Sequence, residues 1–194
     1  MKKSLMLLVF SAAFMPVLSH AEEGNWMARV RIINVNPSAS SSPVSGVDVN
    51  SRTVPELDFS YFFTKNVSAE LILATARHSV TLNGADLGKL NHLPPTLFAQ
   101  YHFLPDAKFN PYVGVGVNYT RFYNVDLNSG LDVKRNSTGG ALQAGFDISV
   151  GKNAYLNFDI KKIYIKTDVT SGGSYLTTLK IDPVVTGIGY GWRF

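Results

Sequence analysis

The sequence predicts an all-β chain, an eight-stranded antiparallel transmembrane β-barrel with short periplasmic turns and long extracellular loops. Three observations carry that expectation. The first is the end of the chain, where Val184, Ile188, Tyr190, Trp192 and Phe194 share one parity and Val185, Gly187, Gly189, Gly191 and Arg193 share the other. Strict period two gives a strand with two unlike faces, and three large aromatics at one tip suit a membrane–water boundary. The second is the start of the chain. Lys2 and Lys3, the apolar run from Leu5 to Leu18 and Ser19-His20-Ala21 have the layout of a secretory signal peptide, and the run is too short to span a bilayer as a helix. The third is repetition: alternation recurs in eight segments whose connections are long and short by turns.

Cleavage after Ala21 leaves residues 22–194 as the barrel, 173 residues (194 minus 21). The 18 basic and 14 acidic residues become 16 and 14 once Lys2 and Lys3 are removed. A basic partner surface for nucleic acid is therefore not expected. Cysteine is absent, so an exported chain of this kind relies on a closed, fully hydrogen-bonded sheet or on an ample core. No later apolar run reaches the length of a transmembrane helix, which leaves a barrel or a soluble exported protein.

The first segment, residues 26–35, sends Trp26, Ala28, Val30 and Ile32 one way and Met27, Arg29, Arg31 and Ile33 the other. After a Ser/Pro/Gly-rich loop (36–52), the second, 54–63, separates Leu57, Phe59, Tyr61 and Phe63 from Glu56, Asp58, Ser60 and Phe62. A tight turn at 64–66 leads to the third, 67–78, with Ala69, Leu71, Leu73 and Thr75 outward and Glu70, Ile72, Ala74 and Ala76 inward. Residues 79–92 are expected to be a polar loop. The fourth segment, 95–103, exposes Leu97, Ala99, Tyr101 and Phe103, and the fifth, 111–122, exposes Val113, Val115, Val117 and Tyr119. A third loop, 123–137, precedes the sixth strand, in which Gln143, Asp147 and Ser149 face in. The seventh, 154–166, turns in Asn157, Asp159, Lys161 and Ile163, and a fourth loop, 167–177, precedes the closing strand. Lys162 falls on the lipid parity, so a bulge or an interfacial, snorkelling position is expected there.

Even strand number and the strict alternation of long and short connections match bacterial outer-membrane barrels. A soluble barrel would hide its apolar parity, yet here the charges oppose the aromatic stripe. Such a fold would have to show its aromatics to water or its charges to a dry shell.

Leu93-Pro-Pro-Thr-Leu97, Gln100-Tyr-His-Phe103, the string from Pro111 to Phe122 and the stretch from Asp182 to Phe194 resemble the outer membrane protein W family, over essentially the whole mature chain. The resemblance implies an eight-stranded barrel that admits small hydrophobic molecules, and some members of that family are bacteriocin receptors. In outer-membrane proteins generally a C-terminal aromatic is read by the assembly machinery, and Tyr190, Trp192 and Phe194 look like that signal.

Placing residues by height gives two further sites. Arg29, Arg31 and Arg193 are expected to meet Asp58, Glu70, Asp147 and Asp159 in the lower lumen. An eight-stranded barrel is wide enough only to be filled by side chains, so these charges would form a polar plug rather than an aqueous channel. Above it, Ile33, Val54, Phe98, Phe122, Ile163 and Val185 would line an apolar pocket open to the outside. Pro55, Pro94, Pro95 and Pro183 stand at the outer ends of descending strands. Proline cannot complete a ladder rung, so these positions are candidates for a lateral opening. Uptake of small hydrophobic solutes, a receptor or structural role, and a narrow ion pore remain the functional alternatives. His78, His92 and Asp126 can be combined into a catalytic group only on paper, as loop residues with no nucleophile motif, so no enzyme, cofactor or metal is expected. Lys162, Lys166 and Lys180 near the outer leaflet would suit lipopolysaccharide phosphates.

Overall fold

The computed structural model describes residues 25–128 and 130–194, and the expected signal peptide at 1–21 lies outside them. Every regular element among the described residues is a strand. In chain order these are Trp26–Asn36 (β1), Ser40–Ser42 (β2), Val47–Val49 (β3), Arg52–Phe62 (β4), Val67–Ala74 (β5), Ala76–Leu82 (β6) and Ala85–Leu93 (β7). Thr96–His102 (β8), Phe109–Leu127 (β9), Leu131–Val133 (β10) and Asn136–Ser149 (β11) follow, then Ala154–Ile163 (β12), Lys166–Ser171 (β13), Ser174–Lys180 (β14) and Val184–Arg193 (β15).

Eight of them close on one another in the order β1-β4-β5-β8-β9-β11-β12-β15, and β15 returns to β1 from Met27↔Arg193 to Asn36↔Val184. All eight pairings are antiparallel, so no sheet edge is left in the wall, the condition for a β-structure in lipid. Burial follows the parity read from the sequence, inverted relative to a soluble protein. Val115 and Val117 are 62% and 63% exposed, while Arg29, Arg31, Asp58 and Glu70 are at 0%. Apolar side chains thus cover the outside of the wall and charged ones fill its inside.

The long outer connections differ from the expected polar loops: much of each is strand. Segment 76–93 is a hairpin of β6 and β7 that adds to β9. Further out, β3 pairs with β6, and β10, β13, β14 and β2 form a separate four-stranded sheet. The barrel therefore continues as a β-structured dome. Its outward residues are polar, with Arg77 and Lys89 exposed where Leu71, Leu73 and Leu97 stood below. That change places β6 and β7 beyond the hydrocarbon.

The third and seventh segments are also not continuous. The third breaks at Thr75, between β5 and β6, and the seventh at 164–165, between β12 and β13. Lys162, by contrast, keeps regular register with Leu142 and Val184, so there is no bulge. Its ammonium donates to the backbone carbonyl of Asp182.

Candidate functional site

The lumen has two storeys. The lower one is built on β1, whose Arg29 and Arg31 point inward at the level of Asp58 and Glu56 on β4. Arg29 donates to Asp58 at 3.1 Å, Asp147 at 2.9 Å and Glu70 at 3.3 Å. Arg31 meets Glu56 at 3.0 Å, Asp58 at 2.9 Å and Glu70 at 2.8 Å. Lys161 completes the cluster, 2.6 Å from Glu56 and 3.0 Å from Asp159. Gln143 donates to Glu70 and Asp159, and Asn157 to Asp147 and the Tyr112 hydroxyl. Charge-assisted bonds of this density, with both partners dry, are the strong kind.

Room for two arginines at this height comes from β15. A Cβ on Gly189 would lie 2.4 Å from the Val30 carbonyl oxygen and 2.6 Å from Arg31 Cγ, and one on Gly191 would lie 2.7 Å from Arg29 Cγ. Neither position can carry a side chain without displacing the arginine beside it.

The plug differs from the expected set at two positions. Glu56 and Lys161 belong to it. Arg193 is partly exposed near the periplasmic rim, its guanidinium 4.1 Å from the centre of the Phe62 ring. Sequence alternation already put Glu56 and Lys161 on the inner face; what it lacked was how high the ionic network reaches.

Above Glu56 the lumen is apolar. Ile33, Val35, Val54, Ile72, Ile163 and Val185 are among the side chains around a small cavity floored by Glu56. Four of the six residues expected there line it. Phe98 and Phe122 instead are buried in the apolar cluster adjoining it and are not among its walls. A second, roomier cavity lies in the dome, lined by residues such as Val80, Leu90, Val133 and Leu179.

The prolines fall into two groups. Between β4 and its neighbour the ladder stops at Glu56↔Ala74 and resumes where the Asn50 N–H meets the Ser79 carbonyl, leaving Pro55 in the unpaired stretch. Between β5 and β8 it stops at Ile72↔Thr96 and resumes at Ala76↔His92, leaving Pro94 and Pro95 opposite residues 73 and 74. Thr75 thus lacks a backbone ladder partner on both sides, and its hydroxyl bridges the second seam by donating to the His92 carbonyl at 3.2 Å. Ala74, Thr75, Ala76 and Pro94 also line the lower cavity. Pro183 is different, because its seam is stitched: its carbonyl accepts the Ile163 N–H, and the Asp182 carboxylate accepts the Ile165 N–H.

His78 and His92, expected to be solvated loop residues, are buried in the lumen with ring centres 4.8 Å apart, edge to face. The signal that could have found them is Asn83-Gly84, a two-residue hairpin marker. Both residues have positive φ, 49° and 85°, and a register shift after Val80 brings 78 opposite 90 and 76 opposite 92. Both histidines then face inward on neighbouring rungs. Burial lowers both imidazoles, His92 to about 3 with His78 beside it as a lesser cause. Asp126 is not with them: its partner in the ladder is Lys89. No group of three or more metal-ligating side chains occurs among the described residues.

A closed eight-stranded barrel with a lipid-facing apolar surface and a charged, water-excluding lumen defines an outer-membrane β-barrel protein. The chain belongs to the OmpW family, whose model matches residues 22–194. It is 43% identical over 183 residues to the uncharacterized outer-membrane protein y4mB of Sinorhizobium fredii, covering 87% of this chain and 80% of that one. It is 35% identical to outer membrane protein W of Vibrio cholerae over the full length of both. Among solved structures, the outer membrane protein OprG of Pseudomonas aeruginosa matches with a TM-score of 0.77 at 30% identity, over 89% of this chain and 97% of that one. The protein is therefore one of the bacterial outer membrane.

Proposed function

We propose that this barrel takes up small hydrophobic molecules from outside, holds them in the apolar cavity above the plug and releases them sideways into the membrane. One observation carries the reading: an apolar cavity closed below by a dry ionic network lies against the stretch of wall, around Thr75 and Pro94, where ladder rungs are missing on two sides. A guest in such a cavity meets ion pairs beneath it and a discontinuous wall beside it. Breaking a buried ion-pair network costs several kcal/mol, whereas a seam without rungs has no backbone bonds to break. A relative in Pseudomonas aeruginosa, 28% identical over the whole of both chains, is named a dibenzothiophene metabolism operon protein. Dibenzothiophene is a small apolar aromatic, which fits the same solute class.

Two partners accompany this reading. Tyr190, Trp192 and Phe194 present exposed aromatics at the chain end, suited to recognition by the outer-membrane assembly machinery. Lys166 and Lys180 face each other across the β13–β14 ladder beside the outer cleft that also holds Asp182. They are a paired cationic contact for lipopolysaccharide phosphate.

The test sets an apolar compound against an ion. Cells carrying the barrel should accumulate a small apolar compound faster than cells without it, while planar bilayers containing it pass no ion current. Current without apolar uptake would favour an aqueous pore, and neither would favour a structural or receptor barrel.

A further inference from the structure

Above the plug, the buried polar side chains that line the inside of the wall are individually accounted for, with two exceptions. Thr96 donates to the Pro94 carbonyl, Thr120 to Asn118, Thr167 to the Lys134 carbonyl and Thr177 to the Val44 carbonyl, and Ser137 accepts the Lys166 N–H. The exceptions are His78 Nε2 and His92 Nδ1, each buried with no hydrogen-bond partner, on residues only 1% and 2% exposed. The other unpartnered atoms are either carboxylate oxygens of the plug or belong to Ser41 and Asn91, which are only half-buried. Leaving a buried polar atom without a partner is unfavourable, and here two such atoms stand together.

Their position is as specific as their lack of partners. His92 lines the lower cavity, and the ring of His78 lies against that of His92. On β6 the inward residue above His78 is Val80, which lines the cavity in the dome. The pair stands at the junction of the two apolar chambers.

The chemistry of the His78 nitrogen is also defined. His78 Nδ1 is 2.6 Å from the Asn50 carbonyl oxygen. A carbonyl can only accept, so Nδ1 carries the proton and Nε2 presents a bare lone pair. His92 Nδ1 can then supply an N–H. We infer that His78 and His92 form a hydrogen-bonding station for one hydroxyl group, which makes the favoured guest of the cavity a small alcohol or phenol rather than a pure hydrocarbon. A hydroxyl supplies both complements: its hydrogen goes to His78 Nε2, and a lone pair takes the N–H of His92. The apolar body of the guest rests among Ile33, Ile163 and Val185. This inference rests on the hydrophobic-uptake reading and adds to it the polar group that the guest carries.

The test uses p-cresol and p-xylene, near-isosteres that differ by a hydroxyl in place of a methyl, with the full barrel in phosphatidylcholine nanodiscs. Binding is corrected for partition into barrel-free discs. Nitrogen-15 resonances of His78 and His92 should move with p-cresol and stay in place with p-xylene. One net hydrogen bond predicts that p-cresol binds about fivefold more tightly. His78→Phe and His92→Phe, each made singly, should bring the ratio of p-cresol to p-xylene affinity to about one. Should either replacement prevent folding, the nitrogen shifts in the unaltered barrel decide alone. If p-xylene binds and p-cresol neither binds better nor moves the nitrogens, the two histidines hold water only and the inference fails while the uptake reading stands. If neither compound binds, the uptake reading fails first and takes this inference with it.

Discussion

The lower storey of the lumen is made from inward positions of the eight barrel strands and the upper one from their outer ends together with β6 and β7, and the two solve opposite problems. The lower storey buries charge and satisfies it: Arg29, Arg31 and Lys161 meet five carboxylates through contacts of 2.6 to 3.6 Å. The upper storey is apolar and leaves two histidine nitrogens without partners. The plug is densely ion-paired, whereas the two histidine nitrogens stand in an apolar surround with no counter-charge beside them. In a barrel too narrow for an aqueous channel, buried charge and apolar lining are therefore divided by height.

The comparison breaks most sharply at Arg31. Arg31→Ala leaves Glu56, Asp58 and Glu70 short of their shared cation, and the expected loss is about 3–5 kcal/mol. A lowered urea midpoint for unfolding in detergent would register it; an unchanged midpoint would mean that the plug is not a structural unit. The upper storey responds to the opposite change. Ile163→Asn places an amide without a partner in the apolar wall, so uptake of an apolar compound should fall about tenfold while the folded band on an unheated gel is kept. Equal uptake would remove the cavity from the route. Replacing Pro94 and Pro95 by Ala restores two N–H groups opposite residues 73 and 74, and a several-fold slowing of uptake without a stability loss is expected. Faster or unchanged uptake would count against the side exit.

The smallest effect is on pH. With His92 neutral down to about 3 in the folded barrel, against an ordinary value near 6.5, both states are uncharged at pH 8. Below about 6.5 the unfolded chain takes up a proton that the folded one refuses, so stability should decline as pH falls from 6.5 toward 3. His92→Phe should flatten that decline. The shift of both imidazoles below the ordinary range should carry p-cresol binding below pH 6.5, and a fall centred near 6.5 would show an ordinary, solvated imidazole instead.

Much of this was legible because a lipid-facing wall makes period two unusually strict. Each inward charge, from Arg29 to Asp159, could be assigned to its face from spacing alone. Height was harder, since it depends on register between strands distant in sequence. That is why spacing alone does not show that the ionic network reaches up to Glu56 and Lys161, or that Arg193 lies over the Phe62 ring. The outer connections were obscured by composition. Ser, Gly, Asn and Pro read as loop, yet Asn83-Gly84 and Gly172-Gly173 are hairpin turns between strands. The histidine pair went unseen for the same reason: without the hairpin and its register shift, residues 78 and 92 have no cause to meet.

The stitching at Pro183 gives the molecule a compass bearing. In the ring of eight strands, the seam between β5 and β8 and the seam between β12 and β15 are four steps apart, on opposite sides. One is short of rungs, and the other is fastened by the Asp182 carboxylate and by Lys162. A solute leaving through the gap would enter the bilayer along a single heading rather than all round. A neighbouring protein packed against β5 and β8 would then block the traffic, and one packed against β12 and β15 would leave it running.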